Sequence, residues 1–99
     1  MKELLMESFY HSTDHKGGSF YYEIDGKRLA ELNYIRAGDH QIIIDHTTVD
    51  VSLKGRGIGK RLLFNLVTFV RENHIRVIPL CPFAAATFHK THEWQNVLA

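Results

Sequence analysis

The sequence predicts an α+β domain, a small mixed and mainly antiparallel sheet carrying two helices. Three observations carry this. Residues 19–52 read as three strands of alternating or β-branched text separated by hairpin-sized turns. After Leu53 the apolar period changes from two to about 3.6. A short apolar run, Ile75–Cys81, then follows the helix, and a strand–helix–strand unit is a crossover whose two strands lie parallel.

The elements follow in order. Within residues 1–18, Leu4, Leu5 and Phe9 suit a strand or a short helix, and Ser12–Gly18 is polar enough for a loop. Ser19–Asp25 is a strand ending at Asp25-Gly26, a strong hairpin signal. Leu29–Tyr34 alternates and stops at Ala37-Gly38-Asp39. Gln41–Ser52 holds Ile42, Ile43, Ile44, Val49 and Val51, completing an antiparallel meander. Ile58, Leu62, Leu63, Leu66, Phe69 and Val70 share one face of a helix running to about Glu72. Asn73-His74 ends it, because Asn tolerates the left-handed turn after a helix. Pro79 marks a break in the ladder of the last strand. Pro82 opens a second helix that continues to Trp94. Trp94, Val97 and Leu98 tuck the carboxyl-terminal tail against the sheet.

Composition narrows the function. With 99 residues, 44% hydrophobic and 23% charged, the chain reads as one globular domain over residues 1–99. A chain of this size buries only about 60–65% of its unfolded surface, so it has one core and no second lobe to close on a substrate. Twelve Lys+Arg against 11 Asp+Glu give a net charge of +1, which implies no generic attraction to nucleic acid or to an anionic membrane. No run approaches the roughly 20 apolar residues of a membrane span, and the amino terminus does not read as a signal peptide. The one cysteine, Cys81, can form no internal disulfide and no thiolate zinc cluster. These features lead us to expect a cytoplasmic protein, monomeric or weakly dimeric.

Gly55-Arg56-Gly57-Ile58-Gly59-Lys60 lies between a strand and the long helix. Three glycines permit a tight turn and leave N–H groups unshielded, at a helix start whose first N–H groups lack internal partners and whose dipole is positive. Lys54, Arg56, Lys60 and Arg61 add charge, so the segment suits a phosphate or pyrophosphate. A P-loop would need Gly at position 54 and Ser or Thr at 61, where Lys54 and Arg61 stand. A Rossmann fingerprint would need Gly at position 60, which is Lys60, and a second nucleotide-binding half. The plain alternative is a turn and a helix start with surface cations nearby.

Three strands, the segment Lys54-Gly-Arg-Gly57-Ile-Gly59, a helix and a strand resemble the acetyl-coenzyme A core of the GNAT acetyltransferases, whose loop reads Gln/Arg-x-x-Gly-x-Gly/Ala. Gly57 and Gly59 match, and Lys54 keeps the charge of the first position without Arg's planar fork. Asp45-His46-Thr47, Cys81-Pro82-Phe83-Ala84 and His92-Glu93-Trp94 are similar to the compact stand-alone GNAT-like proteins. The resemblance runs from about Ser19 to the carboxyl terminus. It implies acetyl-CoA or coenzyme A as cosubstrate and no metal. The implied binding residues are Val49, Val51, Lys54, Gly55, Arg56, Gly57, Ile58, Gly59, Lys60 and Arg61. N–H groups from Arg56 to Lys60 would hold the pyrophosphate, and the strand edge around Val49–Val51 would take the pantetheine arm as an added strand.

The superfamily's last strand is followed by Asn-x-x-Ala-x-x-x-Tyr, with the Tyr proposed to protonate the departing thiolate. Here Cys81 stands for the Asn and Phe88 for the Tyr, and Phe88 has no proton to give. Either the amine attacks the thioester directly or Cys81 takes the acetyl group first; the compact family's cysteine has been proposed as catalytic. A nucleophilic Cys needs a base, and His46 is the candidate. The plain readings are a buried apolar Cys81 and a hydrogen-bonded structural His46. His89, His92 and Glu93 do not follow the zincin order. His11, His15, His40 and His74 look like surface or loop residues.

The leading function is acetyl transfer from acetyl-CoA to an amine, a small one or a protein Lys. The alternatives are a non-catalytic binder of coenzyme A or its acyl forms, and a protein-interaction domain. So short a chain has little with which to wall an acceptor site, so an open, shallow groove is expected.

Overall fold

The computed structural model describes residues 6–99. Its elements are β1 (Glu7–Thr13), β2 (Gly17–Ile24), β3 (Lys27–Arg36), β4 (Gln41–Val49), a 3-10 turn (Val51–Leu53), α1 (Ile58–Glu72), β5 (Arg76–Pro79), α2 (Pro82–Lys90) and a closing 3-10 segment (His92–Val97). The five strands form one sheet in the order β1-β2-β3-β4-β5. The first four are antiparallel neighbours, and β5 lies parallel to β4, as the crossover requires. This is the mixed α+β architecture expected.

Alternation along the strands sets the layers. Phe20, Tyr22, Ala30, Leu32, Tyr34, Ile42, Ile44 and Val77 are buried, whereas Tyr21, Glu31, Asn33 and Ile43 between them are half-covered. The buried set meets Leu62, Leu63, Leu66, Val67 and Val70, which recur at helical spacing on α1. Leu66 is fully buried, so its truncation to Ala costs about 2–5 kcal/mol. The helices cover one face of the sheet, and the other has no second layer among the described residues.

Several expected boundaries move, each for a local reason. Leu4 and Leu5 lie outside the described residues, while Phe9 belongs to strand β1. The expected Ser12–Gly18 loop shrinks to Asp14–Lys16, because the Asp14 carboxylate accepts from the Lys16 and Gly17 N–H groups at 2.8 and 3.0 Å. Gly17 and Gly18 are strand residues: a Cβ on Gly17 would lie 2.2 Å from the Tyr34 carbonyl oxygen, and one on Gly18 2.4 Å from that of Ser12. Asp25 and Gly26 both take positive φ, as a two-residue hairpin demands. After α1 the left-handed residue is His74 (φ 54°) rather than Asn73, whose side-chain amide donates to the Phe69 carbonyl instead.

β4 stops at Val49, three residues short of the expected Ser52, because Asp50 accepts from the Ser52 N–H and starts the 3-10 turn. The last strand is Arg76–Pro79 rather than Ile75–Cys81. The second helix ends at Lys90, not Trp94: Thr91 is buried with non-helical angles, and the Gln95 amide donates to the Phe88 carbonyl at 3.0 Å. The tail docks as expected, with Leu98 bridging Val77 and the Ala99 N–H donating to the Val77 carbonyl.

His11 is not a plain surface residue. Its ring stacks on Phe20 with centroids 3.9 Å apart, meets Phe69 edge-on at 4.5 Å, and its Nε2 lies 2.7 Å from the Tyr34 hydroxyl. Burial, then the nearby Arg36 charge, lower its pKa. Because the folded value lies below the ordinary 6.5, the folded state gains from neutral His11 above that pH and loses the gain as pH falls through the lowered value. Melting temperature should therefore drop on acidification below about pH 6.5, and part of that slope should vanish in His11→Phe, which keeps the aromatic contacts.

Candidate active site

The site begins where the sheet divides. β4 and β5 pair only over Gln41–Ile44 and Arg76–Pro79. The Arg76 N–H donates to the His40 carbonyl, so even-numbered residues of β5 face β4 and the N–H that Pro79 lacks lies on the opposite edge. The Ile44 carbonyl accepts the last ladder bond from Leu80 and a second one from Cys81, at 3.0 and 3.1 Å. Beyond this point β5 leads into α2, while β4 runs on to Val49 paired with β3 alone. A bulge falls at the same place: Asn33 faces His46 and Tyr34 faces Ile44, leaving Asp45 as the extra residue.

The bulge reverses which side chains point inward. Ile42 and Ile44 face the core, and Thr47, not His46, is the next inward residue. Thr47 Oγ1 consequently lies 3.2 Å from Cys81 Sγ. Cys81 is buried at the N-cap of α2, where its Sγ accepts from the Ala84 N–H at 3.3 Å. His46 is exposed beside Asn33 on the open face of the sheet and is not among the hydrogen-bond partners of Cys81. Unbroken alternation from Ile44 would have aimed residue 46 inward, and nothing in the sequence marks the bulge that diverts it; Thr47 is the partner that sequence reasoning missed.

The glycine segment leads from the 3-10 turn into α1. Gly55 (φ 83°) and Gly57 (φ 72°) occupy the left-handed region, and Gly57 is the N-cap of α1 with no side-chain cap. The Arg56 N–H donates to Leu53 and the Arg61 N–H to Gly57. Among the described residues no backbone carbonyl accepts from Gly57, Ile58, Gly59 or Lys60, so the unspent run begins one residue later than expected. Ile58 buries its side chain in the core. Gly59 is small for another reason, since a Cβ there would sit 2.8 Å from the tip of the Phe83 ring.

Lys54, Arg56, Lys60 and Arg61 are exposed around this turn. The Arg61 guanidinium lies 4.4 Å from the Phe9 ring centroid and Lys60 Nζ 5.9 Å from that of Trp94. Val49 ends β4, but Val51 lies in the 3-10 turn, 82% exposed, and has no strand edge to offer a pantetheine arm. Phe88 is buried edge-on against Trp94, with centroids 6.3 Å apart. The helix break separates His89 from His92 and Glu93, and among the described residues no three His, Cys, Asp or Glu side chains form a metal-binding group.

A gap between parallel strands, with bare helix N–H groups ringed by cations beside it, suits a pyrophosphate-bearing ligand with an extended arm. A model of the GCN5-related N-acetyltransferase family matches residues 19–97, and the chain belongs to that family. It is accordingly an acetyltransferase with acetyl-CoA as cosubstrate. The solution structure of a GCN5-like putative N-acetyltransferase from Staphylococcus aureus is 33% identical, with a TM-score of 0.71, over 91% of this chain and 87% of that one. A GNAT family acetyltransferase from Elizabethkingia anophelis, solved with acetyl-CoA bound, has a TM-score of 0.66 at 8% identity over 87% and 74% of the two chains. The Escherichia coli ribosomal-protein-S18-alanine N-acetyltransferase has a TM-score of 0.65 at 17% identity over 81% of this chain and 54% of that one. No curated protein matches in sequence.

Two substitutions separate the roles of the glycines. Gly57→Ala forces a Cβ into the left-handed region and should destabilise the fold by about 1–2 kcal/mol in urea titrations. Gly59→Ala meets only the tip of a half-exposed Phe83 ring, which can swing away, and should cost less.

Proposed function

We propose that the enzyme passes the acetyl group directly to an amine, a small one or an exposed protein Lys, beside Cys81 and without an acetyl-cysteine. The observation that carries this is the Cys81–Thr47 contact: among the described residues Sγ has a hydroxyl and an N–H for partners, and no base. When bound, acetyl-CoA supplies the thioester carbonyl that the amine attacks, and its sulfur departs as a thiolate. The N–H groups of Gly57 to Lys60, with Lys54, Arg56, Lys60 and Arg61 around them, hold the pyrophosphate. The unpaired edge of β4 up to Val49 aligns the pantetheine arm.

Cys81 and Thr47 carry the hydrogens that can meet the departing thiolate, the task for which Phe88 has no group. The amine sheds its proton to water. No contact in the structure supports a base role for His46 at Cys81. With no second layer among the described residues on one face of the sheet, the acceptor groove is open and shallow, which favours a broad or macromolecular acceptor.

Acetyl-CoA at about 100 times its Kd should raise stability by about 2.7 kcal/mol, with desulfo-coenzyme A giving a similar shift; no shift with either at millimolar concentration would remove the coenzyme reading. Cys81→Ala should lower kcat by about 100-fold, with Cys81→Ser retaining more. Intact mass after incubation with acetyl-CoA alone should show unmodified protein. Acetylated Cys81 that is consumed on adding amine would replace direct attack with a relay.

A further inference from the structure

The two edges of the sheet are finished differently. At one edge β5 has only four residues, and the tail closes it: Leu98 bridges Val77, whose carbonyl accepts from the Ala99 N–H. β1 forms the other edge with seven residues, and nothing among the described residues covers it. Its text, ESFYHST, holds no Lys, Arg or Pro, the residues that commonly blunt an exposed strand. It pairs with β2 in unbroken register, from Glu7 opposite Ile24 to Thr13 opposite Gly18. Its one carboxylate, on Glu7, accepts from the Tyr22 hydroxyl at 2.9 Å. α1 packs on β2, β3 and β4 and leaves the rim of β1 clear.

The register shows which backbone groups face outward. The Asp25 N–H donates to the Met6 carbonyl and the Asp14 N–H to that of Gly17, so even-numbered residues of β1 spend their groups on β2. Glu7, Phe9, His11 and Thr13 turn theirs away from the sheet. We propose that this edge pairs with β1 of a second copy of the chain, antiparallel about a two-fold axis at Tyr10, joining two sheets into one. In this register Glu7 exchanges hydrogen bonds with the partner's Thr13 and Phe9 with the partner's His11, so all four outward residues are engaged. A shift of two residues either way leaves Thr13 or Glu7 facing a residue outside the strand. Between the bonded pairs, Ser8 meets the partner's Ser12 and Tyr10 meets the partner's Tyr10. Carboxylate thus faces hydroxyl, ring faces ring, and no like charges meet, a self-complementarity that commits the edge to a copy of this chain. The side chains on the open face agree. Tyr10, 45% exposed, stacks on Tyr21 with centroids 5.2 Å apart, and the Arg28 guanidinium lies 3.6 Å from the Tyr21 centroid. This row stops at the rim, and the two-fold axis makes it continuous. So short a ladder buries less than about 1,200 Å², so the dimer forms reversibly with concentration. The pairing is independent of the coenzyme site.

Sedimentation velocity over a concentration series should pass from the mass of one 11.4 kDa chain to twice that mass. Tyr10→Lys sets two ammonium groups against each other at the axis, and should hold the protein monomeric while circular dichroism shows it folded. Tyr10→Cys should give a disulfide-linked dimer under mild oxidation, because facing residues of a non-hydrogen-bonded pair have Cα atoms about 4.5 Å apart, within disulfide reach. Ser8→Cys lies four residues, or ~13 Å, from its own copy across the axis and should stay unlinked. Wild type should stay unlinked too, since its Cys81 is buried. Equal linkage through positions 8 and 10 would overturn the pairing register and with it the proposal. A monomer throughout the series would overturn it as well, leaving the edge to an extended segment of another protein. A dimer that survives in folded Tyr10→Lys would overturn it by moving the contact to another surface.

Discussion

One carbonyl oxygen governs the working half of the molecule. Ile44 is the last residue of β4 paired with β5, and its oxygen takes both Leu80 and Cys81. A continuous ladder would have closed the sheet and left no gap. Because the ladder ends here, the outer reach of β4 keeps one unpaired edge, and Cys81 arrives at the head of α2 rather than inside a strand. The Asp45 bulge at the same level turns Thr47 toward Cys81. One carbonyl shared by two donors and an extra residue, side by side, shape the gap between β4 and β5.

Much of the fold was legible because long-range packing agrees with local pattern. The apolar stripe of α1, the hairpin at Asp25-Gly26 and the parallel crossover were all readable, as each follows from periodicity, turn chemistry or connection length. Phosphate-seeking character was legible at the glycine turn too. The bulge was not, because an inserted residue in a strand of Ile, Asp, His and Thr leaves no compositional trace, so nothing marked Thr47 rather than His46 as the neighbour of Cys81. Gly17 and Gly18 were misread for the opposite cause: they look like turn residues, yet they are glycine because Tyr34 and Ser12 leave no room for a Cβ.

The glycines around α1 divide along similar lines. Gly55 and Gly57 are required by backbone angle, with open space where a side chain would go. Gly59 has an ordinary angle and a crowded neighbour, so it lets α2 approach the start of α1 through Phe83. One motif thus performs two physical tasks, presenting N–H groups outward and holding two helices together inward. His11, which looks like a surface or loop residue in the sequence, lies on an edge strand within an aromatic cluster spanning β1, β2, β3 and α1.

Strand order in this sheet equals chain order, with a single crossover at the end. Kinetically that is an economical route. The hairpins β1-β2, β2-β3 and β3-β4 close short loops, while β4-β5 must wait for α1 to form between them. The cleft is therefore assembled after its scaffold, from the pairing with the largest loop-closure cost and only four residue pairs. The same ordering makes it the seam most readily reopened by local unfolding. Amide hydrogens of Leu80 and Cys81, the two that converge on Ile44, would then exchange ahead of those in the meander, and ligand spanning the gap would slow them most.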